Sequence, residues 1–236
     1  MPFLSKSVLF AFIFFLMQVS WTYAQETATL ENVRGNVRVV KPGDVPAGRA
    51  GEDGMALSSN DRVITAGAGA MADIRFKDGS VIRVMPNSEL TLEQADFINK
   101  NIQIAVSLTS GKIFNVVNPL QGDSHYIVRT SNGVAEVKGT VFSAETAEQR
   151  SVFMVKEGKV EATHPEVSAQ AVLVDDLNKT IVAPQAAPSA PIPLTPEEIA
   201  MFDILDDISA DIKEDLREEI QEEIQEELLN NALERE

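Results

Sequence analysis

Cysteine is absent from the 236 residues, and histidine (two), tyrosine (two) and tryptophan (one) are nearly so. Without thiols the chain can form no disulfide framework, thiolate zinc site or cysteine nucleophile, so a folded unit has to rest on an apolar core. His125 and His164 are the only histidines, which leaves two candidates for any general base, and neither stands in a motif. Ser124 and His125 are sequence neighbours, but adjacency does not create the geometry that a nucleophile and its base require. Both histidines therefore read as surface residues. Asp73, Asp78 and Glu89 are scattered without metal-ligand spacing, so no catalytic residue, metal or cofactor is expected. Thr65-Ala66-Gly67-Ala68-Gly69 lacks the following helix and the Lys-Ser/Thr pair of a phosphate loop.

The one tryptophan, Trp21, falls in an N-terminal segment with the marks of a secretory signal peptide. Lys6 precedes an apolar run from Val8 to Val19, and Thr22-Tyr23-Ala24 offers a small-residue cleavage site before Gln25. Residues 1–24 are thus expected to be removed and the rest to be periplasmic or secreted. The alternative is an uncleaved anchor over residues 8–24, the one route by which the chain would meet a membrane.

Charge divides the remainder of the chain in two. From Thr27 to Val182 there are 19 acidic and 16 basic residues, a net of −3; from Pro196 to Glu236 there are 16 and 3, a net of −13. Nucleic acid and anionic membrane surfaces would be repelled by the second part and barely attracted by the first. Residues 183–195 lie between them. With Pro196 they hold five of the eleven prolines, which reads as a linker and semi-rigid spacer.

Residues 28–182 show short alternating runs punctuated by turns and no amphipathic helix, which predicts an all-β domain and leaves sandwich, barrel and solenoid open. Val128 to Phe142 alternates on either side of Asn132-Gly133, a hairpin pair whose residues tolerate positive φ. Ala72–Phe76 and Val81–Val84 flank Asp78-Gly79, read as a two-residue turn. Gly79, Gly133 and Gly158 all suit positive-φ turns. Phe76, Phe114, Phe142 and Phe153 sit in apolar alternation and read as core rather than as a sugar platform.

Several of these blocks together resemble the FecR family of bacterial cell-envelope regulatory domains. Asn60-Asp61-Arg62-Val63-Ile64-Thr65 is similar to its Gly-Asp-x-Val-x-Thr block, with Asn60 in the usual glycine position. Asp78-Gly79-Ser80 and Pro86-Asn87-Ser88-Glu89-Leu90 come next in order, then Leu108-Thr109-Ser110-Gly111-Lys112-Ile113. The closest likeness is Arg129 to Phe142, ending on Lys138-Gly139-Thr140-Val141-Phe142, and Val155-Lys156-Glu157-Gly158-Lys159-Val160 comes after it. Asn178-Lys179 stand where a last glycine turn is typical. The resemblance implies a non-catalytic module. Full-length iron-uptake regulators of the family add a sigma-factor-binding segment, a membrane helix and a receptor contact. Only seven residues precede Val8, so direct anti-sigma signalling is not expected, and the resemblance carries no catalytic residues across.

Lys138, Gly139 and Thr140 form a possible binding turn, although a glycine and a hydroxyl at a strand junction also serve backbone geometry. The acidic region 196–236 opens with a capping box, Thr195-Pro196-Glu197-Glu198, which predicts a helix start. Phe202, Leu205, Ile208, Ile212, Leu216, Ile220, Ile224 and Leu228 then form one apolar stripe, on a helix of about 60 Å if continuous. Glu214, Glu218, Glu222 and Glu226 stack like charges at i,i+4, so this helix should need a partner, a second copy or a basic groove. The expectation is an exported interaction, sensory or scaffold module whose acidic helix self-associates or recruits an envelope protein. A cell-wall glycan binder or exported hydrolase is the alternative.

Overall fold

The structure, a computed structural model, describes residues 27–98, 101–167, 171–208 and 210. The expected signal peptide and the stripe from Ile212 to Leu228 lie outside the described residues. Fifteen strands form one sheet: β1 (Ala28–Val40), β2 (Arg49–Ala50), β3 (Met55–Leu57), β4 (Arg62–Phe76), β5 (Val81–Val84), β6 (Glu89–Ile98), β7 (Asn101–Val116), β8 (His125–Thr130), β9 (Val134–Val137), β10 (Val141–Ala147), β11 (Arg150–Glu157), β12 (Val160–Thr163), β13 (Val172–Val174), β14 (Asn178–Val182) and β15 (Ile192–Pro193). A short helix α1 (Pro196–Ala200) and a 3-10 turn (Met201–Leu205) come after them. The all-β domain followed by a helix is thus as expected.

Strand β7 is the axis. Its first half lies between β6, antiparallel from Ile98↔Asn101 to Glu89↔Ser110, and β8, parallel from Gln103↔His125 to Leu108↔Thr130. Its second half lies between β5 and β10, both antiparallel. A parallel neighbour needs a crossover. Here the second half of β7 and the loop 117–124 supply it, so the sheet folds over on itself. The fold occurs at Gly111, whose φ is +88° and where a Cβ would lie 2.6 Å from Ser88 Cα.

The two halves close over one apolar core. Tyr126 of β8 packs edge-on against Phe76 of β4 and Phe142 of β10, each at 6.4 Å between ring centres. Tyr126 is fully buried and its hydroxyl donates to Asn115 Oδ1 at 3.0 Å, as a buried phenol must find a partner. Burial pushes its pKa well above the ordinary value.

Several local expectations change. Thr65–Gly69 lies inside β4, where Gly67 (φ +88°) and Gly69 (φ +82°) kink a continuous strand. The turn at Asp78-Gly79 has three residues, because Phe76 N–H donates to Ser80 O and Gly79, at φ +82°, closes a bulged loop. This pairs Asp73 with Arg83. In the hairpin of β8 and β9, Thr130 N–H donates to Gly133 O, so Ser131 and Asn132 form the loop. Gly133 is not in the left-handed region. It is glycine because a Cβ would meet Phe153 Cε2 at 2.8 Å. Gly158, as expected, has φ +91°.

Residues 183–195 do not stand off as a spacer. Ser189 Oγ accepts from Ile181 N–H, Thr180 Oγ1 donates to Ser189 O, β15 pairs with β14, and Leu194 is buried.

Candidate functional site

Two places draw together residues that chemistry could use. The first is the turn from Lys138 to Thr140. Gly139 takes φ +101° and a Cβ there would sit 2.9 Å from Pro119 Cα, so both conformation and space require glycine, and Thr140, buried, donates through Oγ1 to Lys159 O at 3.0 Å. The turn is therefore built for backbone geometry. It also lines an open groove of about 320 Å³, with Glu136, Lys159, Glu161 and Leu173 on its other walls. Glu136 is engaged by His125 Nδ1 at 2.6 Å.

Both histidines make polar contacts within the chain. His164 is not on the surface: it is buried, and its Nδ1 accepts from the backbone N–H groups of Glu166 and Val167, both at 3.0 Å. Among the described residues no group of three or more His, Asp or Glu side chains could hold a metal.

The second place is the outer face of the sheet. Register aligns one residue from each of six strands in a single row: Asp73 (β4), Arg83 (β5), Phe114 (β7), Ser143 (β10), Met154 (β11) and Lys179 (β14). Register partners point to the same side. On the opposite side, Ile82, Ile113, Phe142, Ala144, Phe153 and Val155 belong to the main core. Val81, Val116 and Met154 extend the outer row into a second apolar cluster. The sheet is apolar on both faces, so the outer one needs a cover.

The C-terminal segment provides it. Thr195 caps α1 as expected: its Oγ1 accepts from Glu198 N–H at 3.3 Å and Glu198 Oε2 accepts from Thr195 N–H at 3.0 Å, with Pro196 in the first turn. The helix then tightens to 3-10. In that form residues three apart eclipse, which brings Phe202 and Leu205 to the sheet, and Ile208 joins them just past its end. All three are buried against the β-domain, and Phe202 meets Phe114 edge-on at 5.2 Å. Each contributes about 2 kcal/mol of burial before ordering entropy is set against it. The first three members of the predicted stripe are thus engaged within the chain.

Charge fixes both ends of the segment. Arg83 is 3% and Asp73 2% exposed at the side chain; their guanidinium–carboxylate pair is bidentate, Nε to Oδ1 at 2.7 Å and Nη2 to Oδ2 at 2.6 Å, with Asn32 Nδ2 donating to Asp73 Oδ2 at 2.8 Å. Arg83 also donates to the Ile204 carbonyl and, at 2.9 and 3.0 Å, to the two oxygens of Asp207. Burial works against the Arg83 cation, but the hydrogen bonds to Asp73 and Asp207 outweigh it and raise its pKa. The same hydrogen bond holds Asp207 below the ordinary carboxylate range. At the far end Lys179 donates to Glu198 Oε1, which lowers the Glu198 pKa. Four strand spacings, about 19 Å, separate Lys179 from Arg83. The helical rise from Glu198 to Asp207 covers most of that, and the long basic side chains reach the remainder. Lys156 lies 6.0 Å above the Phe202 ring.

None of Asp73, Arg83, Lys179 and Asp207 was marked by the sequence as a site. Among known protein families, a model described as FecR protein matches residues 62–161. Two crystal structures of a "putative anti-sigma factor" from Parabacteroides distasonis are similar at 18% identity, with TM-scores of 0.48 and 0.47. The likeness covers 59% and 58% of this chain, and in both cases 62% of theirs, so this chain spans about three-fifths of that protein. No curated protein matches. Five of the six strands that carry the row, those from β4 to β11, lie within the segment that matches the FecR model.

Proposed function

We propose that this protein is a non-catalytic regulatory module of the cell envelope, which works by binding other proteins. The FecR match over residues 62–161 carries the reading. The burial of His164, whose Nδ1 accepts two backbone N–H groups, agrees with it and leaves His125 as the one histidine a hydrolase could use. The groove at Lys138, Gly139 and Thr140 and the stripe that continues through Ile212, Leu216, Ile220, Ile224 and Leu228 are the surfaces we assign to partners or to a second copy. Among the described residues no helix is long and apolar enough to cross a membrane. The N-terminal segment is read as an export signal, so protein recovered from the envelope should begin at Gln25, as mass spectrometry of the intact chain would reveal.

The test is a photo-crosslinking residue placed at Lys138 of the full chain in its native cell. A discrete protein adduct in the envelope fraction is expected. Crosslinks to glycan alone, or a hydrolytic activity that His125→Ala abolishes, would overturn the reading.

A further inference from the structure

The row on the outer face has the properties of a recognition site, and its present occupant is this chain. Its middle is apolar, at Phe114 and Met154, and a hydrogen-bonding cation flanks it on each side, Arg83, itself paired with Asp73, and Lys179. The segment that covers it repeats the pattern in complement: a carboxylate at Glu198, an aromatic at Phe202 and a carboxylate at Asp207. We propose that this face binds an acidic amphipathic helix of a partner protein, and that residues 195–208 hold the same seat closed in cis. The proposal rests on the reading of the protein as an interaction module and names the chemistry of the partner.

Two observations separate this from ordinary packing. The seat is organised without its occupant. Arg83 keeps a bidentate carboxylate in Asp73, itself held by Asn32, so departure of Asp207 leaves no buried charge unpaired. Asp207 is 57% exposed at the side chain while Arg83 is 3% exposed, so the contact can open from the solvent side. The second observation is Ser143. It is fully buried in the middle of the row, between Phe114 and Met154, and its Oγ is the one buried side-chain polar atom without a hydrogen-bond partner among the described residues. The resident segment thus leaves a polar group under it unpaired, a standing penalty. A partner helix with a hydrogen-bonding side chain over Ser143 satisfies what the resident segment does not, and so competes with it despite the high local concentration that tethering provides.

The occupant we assign is therefore a helical segment with carboxylates bracketing an aromatic residue and a polar side chain between them. The experiment uses the full chain and, as probe, a fluorescein-labelled synthetic peptide of residues 195–210. Anisotropy is read against the wild type and against a chain whose own segment is weakened by Glu198→Gln, Phe202→Ala and Asp207→Asn. The peptide should bind the weakened chain at least about 10-fold tighter than the wild type, and Lys179→Ala in the weakened chain should reverse most of that gain. A weakened chain that unfolds normally yet ignores the peptide, or that only dimerises, overturns the proposal while leaving the Lys138 crosslinking test of the regulatory reading untouched. Equal binding to both chains, insensitive to Lys179→Ala, also overturns it.

Should the triple variant fail to fold, hydrogen exchange on the wild type decides. Amides of residues 199–208 should exchange at least about 100-fold faster than those of β7, and Ser143→Ala should slow them or leave them unchanged. Equal protection of the two, or a segment loosened by Ser143→Ala, contradicts a separable seat.

Discussion

Single side chains fix where the sheet bends and how its core is satisfied. Gly111 stands at the fold of β7 with φ +88°, and a Cβ there would approach the Ser88 main chain at 2.6 Å. Gly111→Ala should cost about 2–3 kcal/mol, measured by chemical denaturation, because backbone strain and a main-chain clash act together. Tyr126→Phe should cost about 1–2 kcal/mol in the same assay, since it leaves the buried Asn115 Oδ1 without its donor. Residue identities made some of this readable. Asn60, in the usual glycine position, has φ +70°, a conformation asparagine tolerates. Where the last turn lacks its glycine, Leu177 takes φ +57°. Gly133 was misleading, because a glycine required for space against Phe153 looks in sequence the same as one required for a turn.

Elements were legible where they were local. The hairpins of β4 with β5 and β8 with β9 follow from alternation around turn residues, and the capping box at Thr195 identified the start of α1. Strands that change halves were not, since the glycines that kink β4 in mid-strand look like punctuation. The outer row was hidden for a similar reason. A two-residue turn at Asp78-Gly79 would place Asp73 opposite Val84, and only the three-residue loop puts it opposite Arg83; one residue of slip moves every side chain to the other face. The covering segment is the element most open to test. Phe202→Ala removes its aromatic anchor and should weaken docking by about 3 kcal/mol. A glutamate-specific protease should then cut near Glu197 and Glu198 many times faster than in the wild type, with the β-domain intact on a gel.

At the scale of the whole molecule, the acidic C-terminal region and the nearly neutral domain meet at Arg83 and Lys179, and this makes their contact sensitive to acid. Asp207 and Glu198 both have pKa values lowered, from ordinary values of 3.8 and 4.5, by the hydrogen bonds they accept from these cations. The free segment binds protons more readily than the docked one, so docking is at full strength above about pH 5 and is lost as pH falls through the lowered values. Amide NMR shifts of residues 199–208 should move toward free-peptide positions between about pH 5 and pH 3 while those of β7 hold. The position of β7 has a consequence for synthesis as well. One flank is completed by β5 and β6, made before it, and the other by β8 and β10, made after it. A chain emerging N-terminus first must therefore carry an unpaired sixteen-residue flank of its most central strand until Ala147 has followed, an interval in which a holdase, or a neighbouring nascent chain, finds the edge first.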